Sequence, residues 1–170
     1  MKKKRNLKSI VLIIGITSIM TACNNNDQKR GTEMIGQNNA SIFPKGDRTP
    51  KEYFSGEAYL KPLLARDKNN DFVVGSVTFE PGARTNWHTH PKGQVLIVTE
   101  GEGLYQEKGK PAQRINKGDV VNIPENIEHW HGATAGTTMI HIAITNYEGE
   151  TNAVWLNAVT DEEYNTANKN

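Results

Sequence analysis

From Tyr53 onward, apolar residues come in short runs broken every several positions by Gly, Pro, Asn or Asp, the pattern of many short strands. Phe72–Phe79 reads as a strand stopped by Pro81 and Gly82. Residues 94–99 read as another, stopped by Gly101 and Gly103, since glycine accepts turn dihedrals and proline removes a ladder donor. Residues 104–107, 112–115, 120–123, 127–131 and 138–145 continue the series, with connectors such as Lys117-Gly118-Asp119 and Pro124-Glu125-Asn126. Short connections favour antiparallel neighbours, so the pattern predicts an all-β antiparallel domain. Near the end, Thr160 followed by Glu163 has capping-box spacing and predicts a short helix through Tyr164, covering an edge or mouth of that domain.

The five histidines, His88, His90, His129, His131 and His141, all fall in this strand-rich region, four of them as His-x-His pairs. Residues i and i+2 of a strand share a face, so His88 projects with His90, and His129 with His131. Two adjacent imidazoles make half a metal site, and imidazole suits zinc, iron, nickel, copper and manganese. His141 alternates with Met139, Ala143 and Thr145, while Ile140, Ile142 and Ile144 form the opposite face. A polar residue among small neighbours suggests a cavity wall, where imidazole can move a proton near neutral pH or orient another ligand. Trp87 and Trp130 point away from the histidine face and are expected to pack on a neighbouring sheet or subunit.

The chain's beginning has a different texture. Lys2, Lys3, Lys4, Arg5 and Lys8 precede an apolar stretch over residues 10–20, the layout of a signal peptide and shorter than the roughly 20 apolar residues of a membrane span. Met20-Thr21-Ala22-Cys23 resembles the lipobox of bacterial lipoproteins, with methionine where leucine is usual. The expected organisation is a signal peptide over 1–22, a lipidated Cys23 with a flexible tether over 23–49, and a domain over 50–166. Residues 24–49 are rich in Asn, Gln, Gly and charge, as a solvated spacer would be. Cys23 is the sole cysteine, so no intramolecular disulfide is available. With 170 residues, 36% hydrophobic content and a net charge of +1, the chain has room for one core and no broad basic face for nucleic acid.

The histidine spacing resembles the cupin superfamily. Gly82, His88, His90, Gln94 and Gly101 fall on its first motif, with glutamine in place of the usual glutamate. Gly118, Pro124, Asn126 and His129 fall on its second, with Asn126 where glycine is usual and Ala133 where a terminal asparagine is usual. Asparagine tolerates positive φ, so the Asn126 change is a mild one. The resemblance implies a single small jelly-roll β-barrel with a short C-terminal helix, and His88, His90, Gln94 and His129 as ligands of one divalent metal ion per chain. Manganese or iron is favoured, and nickel or zinc is acceptable. Residues 79–94, the run Glu128-His129-Trp130-His131-Gly132-Ala133 and the late Thr160-Asp161-Glu162-Glu163-Tyr164 look like the cupin-type (R)-mandelonitrile lyase group. By that resemblance His141 assists proton transfer to or from a cyanohydrin, and His131, Val77 and Thr145 line the pocket or support ligands.

The expectation is therefore an exported, membrane-anchored lipoprotein acting on a small molecule, most concretely by cleaving an aromatic cyanohydrin. A metal-dependent oxygenase and a non-catalytic small-ligand binder remain open beside it. A neutral amide at Gln94 leaves the ion its full charge and favours an exchangeable anionic ligand. The second apolar face at Ile140, Ile142 and Ile144 provides material for a homodimer or higher oligomer.

Overall fold

The computed structural model describes residues 41–169; Cys23, the stretch read as a signal peptide and the part of the expected tether up to residue 40 lie outside them. In chain order the strands are β1 (Asp47–Arg48), β2 (Phe54–Ser55), β3 (Ala58–Leu64), β4 (Phe72–Phe79), β5 (Arg84–Thr85), β6 (His88–Thr89) and β7 (Gln94–Glu107). There follow β8 (Gln113–Asn116), β9 (Val120–Ile123), β10 (His129–Ala133), β11 (Met139–Asn146), β12 (Val154–Trp155) and one helix, α1 (Asp161–Ala167). All pairings are antiparallel. One half of the barrel runs β1-β3-β4-β11-β7 with β9 added on β7; the other joins β7, β8, β10, β5, β2, β6 and β12.

β7 belongs to both halves. Its first part pairs with β11 and β9, its second with β10 and β8. The sequence pattern placed a stop at Gly101 and Gly103, but the strand continues through them and turns the corner of the barrel there. Gly101 has φ +71°, and a Cβ on it would lie 1.8 Å from the Thr138 carbonyl oxygen. The glycines let a single strand bend and approach a neighbour closely instead of ending it.

β3 escaped the sequence pattern because Pro62 argues against a strand interior. In the structure β1 pairs only as far as Leu60, so Pro62 lies where β3 has become an edge, at an irregularity in its register with β4. β1 itself falls within the stretch read as tether. Thr49 bonds the Ala58 carbonyl through both its amide and its hydroxyl, and Lys45 pairs with Glu80.

The barrel interior is filled by Phe79, Leu96, Val98, Tyr105, Ile115, Ile123 and Met139. A second apolar cluster lies outside the β7–β10 half, where Trp87, Leu104 and Trp130 meet Val159, Tyr164 and Ala167. α1 forms as the capping box predicts: the Thr160 hydroxyl accepts from the Glu163 amide, and the Glu163 carboxylate accepts from the Thr160 amide. Three acidic residues in its first turn complement the helix dipole. Tyr164 donates to the Ala133 carbonyl at 2.8 Å, and Arg84 clamps the helix entry through the Val159 carbonyl and Asp161. The helix thus covers the outer face of a sheet, not an edge or mouth. Trp87 and Trp130 pack beneath this helix of their own chain, not on another sheet or subunit.

Gly101→Ala is expected to lower stability by about 2 kcal/mol or more, through an alanine held at positive φ against a backbone carbonyl. Urea unfolding followed by far-UV circular dichroism measures it; a midpoint unchanged from wild type would show that the corner does not need glycine.

Candidate metal centre

The strands gather all five histidines. His88 on β6 is the direct cross-strand partner of His129 on β10. Their rings are 4.2 Å apart, with His90 at 4.9 Å from His88 and 5.4 Å from His129. His131 and His141 form a neighbouring pair at 4.9 Å. None of the five is more than 4% exposed. Gln94 opens β7 opposite Thr145 of β11, so the amide enters the same space from the other half of the barrel. Asn126 shapes the loop behind His90: its φ is 61°, as a glycine-like position requires, and its amide donates to the His90 carbonyl at 2.9 Å.

Hydrogen bonds determine which nitrogen each imidazole offers. Nδ1 of His88, His90 and His129 lies 2.9, 2.6 and 2.8 Å from the carbonyl oxygens of Asn86, Asn152 and Ile127. A carbonyl only accepts, so each Nδ1 carries the proton and each Nε2 keeps its lone pair. Nε2 of His90 and of His129 are buried without a hydrogen-bond partner, as is Oε1 of Gln94. The Gln94 amide nitrogen donates to Thr145 Oγ1 at 2.9 Å, which accounts for the other end of that side chain. Unpartnered buried acceptors are costly, and a carbonyl on Nδ1 is a usual way to orient an imidazole whose Nε2 is free for a metal.

Electrostatics keep the imidazoles neutral. Burial pushes His88 well below the ordinary value, reinforced by repulsion from His129 and His90 and opposed by Asn86. His90 is lowered by burial against the raising effects of Asn152 and Gln94. Burial brings His129 and His141 down to about 4. His131 is lowered strongly by burial and then by His141, His88, His129 and His90. Neutral imidazole is the form that binds a cation.

The ligand nitrogens of His88, His129 and His131 lie within 4.8 Å of one another, a three-histidine group able to hold a metal ion. This trio shares His88 and His129 with the set expected from the motifs, and differs by taking His131 in place of His90 and Gln94. In both sets each histidine has its Nδ1 engaged, that of His131 with His141 Nε2 at 3.3 Å; His90 Nε2, His129 Nε2 and Gln94 Oε1 are the buried atoms of the two sets without a partner among the described residues.

His88, His90, Gln94, His131 and His141 face a cavity of about 400 Å³. Val77 and Thr145 line it too, Thr145 also holding the Gln94 amide. Among the described residues no Asp, Glu, Lys or Arg lines this cavity; aliphatic residues of β3 and β4, with Phe54 and Trp155, make most of its wall. Sequence reasoning missed two contributors. The Asn152 carbonyl that fixes His90 is a backbone group and carries no side-chain signal. Trp155 stacks on His88 at 4.7 Å from a two-residue strand too short to show periodicity.

The Cupin domain family matches residues 75–145, the stretch running from β4 to β11. An (R)-mandelonitrile lyase from Granulicella tundricola is 44% identical over 115 residues, covering 68% of this chain and 88% of that protein. The crystal structure of a cupin-like protein from Thermotoga maritima is 48% identical with a TM-score of 0.71, covering 75% of this chain and 96% of the other. A predicted oxalate decarboxylase of the same organism, 21% identical with a TM-score of 0.53, covering 65% of this chain and 91% of the other, shares the fold. With a family model matched over residues 75–145 and a relative 44% identical over 88% of its own length, this chain belongs to the cupin family.

Proposed function

We propose that the protein is a metal-dependent lyase that cleaves an uncharged aromatic cyanohydrin into an aldehyde and hydrogen cyanide. The observation that carries this reading is that His90 Nε2, His129 Nε2 and Gln94 Oε1 are buried without a partner, and that His88, His90 and Gln94 line an apolar cavity to which the described residues bring no charged side chain. The donor set of three neutral imidazoles and one amide oxygen suits a divalent ion such as manganese or iron, held by His88, His90, Gln94 and His129. When bound, that ion would supply Lewis-acid stabilisation of the leaving cyanide. The likeness to a protein named as an (R)-mandelonitrile lyase supports the same chemistry.

The residues of the chain would do the rest. The aliphatic and aromatic wall holds the substrate ring and excludes water. The His141–His131 pair takes the hydroxyl proton; the O–H electron pair becomes the second carbonyl bond, and the pair of the broken C–C bond leaves with cyanide. The proton then passes to cyanide, so neither oxidant nor co-reactant is needed. His141 is neutral at pH 7 and sits on the cavity wall, as that role requires.

The reading extends to location and assembly. The basic and apolar leader with its lipobox-like Met20-Thr21-Ala22-Cys23 supports export and lipid anchoring at Cys23. Ile142 pairs with Ile97 and Ile144 with Val95 on the face of β11 and β7 opposite His141, half-buried apolar surface that supports a homodimer.

Mass spectrometry of the untagged full chain purified in detergent is expected to find about one manganese or iron ion per chain, with His90→Ala retaining less than about a tenth of it. Loaded wild-type protein is expected to release benzaldehyde and cyanide from (R)-mandelonitrile, with His141→Gln at least about 100-fold slower. Oxygen uptake without cleavage would move the chemistry to an oxygenase, and metal-dependent binding without turnover would make the protein a binder.

The metal-free protein should lose stability in acid. His129 and His141 titrate near 4 when folded and near the ordinary 6.5 when unfolded, so between these values the unfolded chain binds more protons. Stability is then complete above about 6.5 and falls as pH drops toward 4. Thermal unfolding of chelator-treated protein from pH 7.5 to 4 checks the sign; a flat midpoint would mean that these imidazoles are not desolvated.

A further inference from the structure

The segment from Glu148 to Asn157 lies beyond the residues that match the family and supports the histidine centre from outside the barrel. It turns at Glu148–Thr151 through two mutual backbone bonds and is tied down by Arg66 to the Gly149 carbonyl and by Lys92 to Glu148. It then supplies the Asn152 carbonyl to His90 Nδ1 and runs along β6, with Trp155 directly opposite His88. Backbone bonds from Leu156 to Trp87 and from Trp87 to Asn157 close the pairing. One strap therefore touches two of the four proposed ligands.

Trp155 is the side chain of that strap with a geometry of its own. Its ring stacks on His88 at 4.7 Å and 30°, and on Tyr53 at 4.7 Å and 17°, with Phe54 tilted against it at 5.7 Å. The Asn86 carbonyl fixes where Nδ1 of His88 points, but one hydrogen bond leaves the ring free to tilt about it. The Nε2 lone pair lies in the ring plane, so tilt misdirects it. A stacked indole, itself held by Tyr53, removes that freedom.

We infer that Trp155 is a positioning residue of the metal centre, setting the plane of the His88 imidazole through the Tyr53–Trp155–His88 stack. This rests on the reading of His88 as a ligand. Partners that orient metal ligands typically contribute about 10–100-fold in affinity, and a stacked aromatic is replaceable by another aromatic but not by an aliphatic side chain.

The test is Mn(II) affinity of the untagged full chain in detergent, measured by chelator competition for wild type, Trp155→Leu and Trp155→Phe, with thermal unfolding of each. Trp155→Leu is expected to bind Mn(II) about tenfold or more weakly, and Trp155→Phe within about threefold of wild type. Co(II) gives a second readout that needs no aliphatic variant: it should quench tryptophan emission strongly in wild type and much less in Trp155→Phe, because Trp87 and Trp130 pack beneath α1. Equal Mn(II) affinity in wild type and Trp155→Leu, or equal weakening in the Leu and Phe variants, would overturn the positioning role. A wild-type chain that takes up neither ion would sink the metal reading itself, and the inference with it.

Discussion

The centre depends on one constraint: an imidazole buried inside the barrel is held neutral, so something must decide which nitrogen keeps the proton. Backbone carbonyls do this. For His88 and His129 the carbonyl comes from two residues earlier in the same chain segment, Asn86 and Ile127, so each histidine carries its own lock into the barrel. Pairing of His88 with His129 across β6 and β10 then turns two locked rings toward each other. His90, just past the end of β6, has no such local lock and takes its carbonyl from Asn152, 62 residues on. The arrangement leaves acceptors without partners, each costing about 1–3 kcal/mol. The bent β7, the packed interior and the helix-covered outer face have to offset that cost.

What was legible in the sequence is what depends on period and spacing. Two His-x-His pairs on strands must share faces, and β4 and β9 announce themselves by runs with clear stops. The Asn126 backbone follows from which residues tolerate positive φ. Illegible were features in which one residue type serves two ends. Glycine can stop a strand or bend it, and at Gly101 the closeness of Thr138, known only from the fold, decides for bending. Pro62 signals no strand unless its edge position is known. Trp87 and Trp130 were readable as facing outward, but what covers them depends on where α1 returns. The support from the strap was out of reach for a simpler reason: a backbone carbonyl is the same in every residue, and β12 is two residues long.

The amide at position 94 links the site's electrostatics to the kind of reaction it suits. A carboxylate there would attract protons onto His88, His90 and His129 and raise their pKa values against the burial that lowers them. Glutamine brings an oxygen without a charge, so the imidazoles stay neutral, and in the proposed reading the ion's charge stays undiminished. Among the described residues, the cavity beyond has no Arg or Lys to receive a carboxylate substrate and no Asp or Glu to receive a cation. A charged substrate would lose its hydration there and gain no side-chain partner beyond the centre itself. A neutral molecule enters an apolar cavity of this kind without that loss, and in the proposed reading negative charge would develop only as the bond breaks, beside the residues that would hold the ion and the His131–His141 pair. Stabilisation that arises with the developing charge lowers the barrier without deepening the ground state, which is what catalysis requires. The missing charge on Gln94 and the missing charges on the cavity wall thus favour the same class of reaction, one that begins neutral and expels an anion.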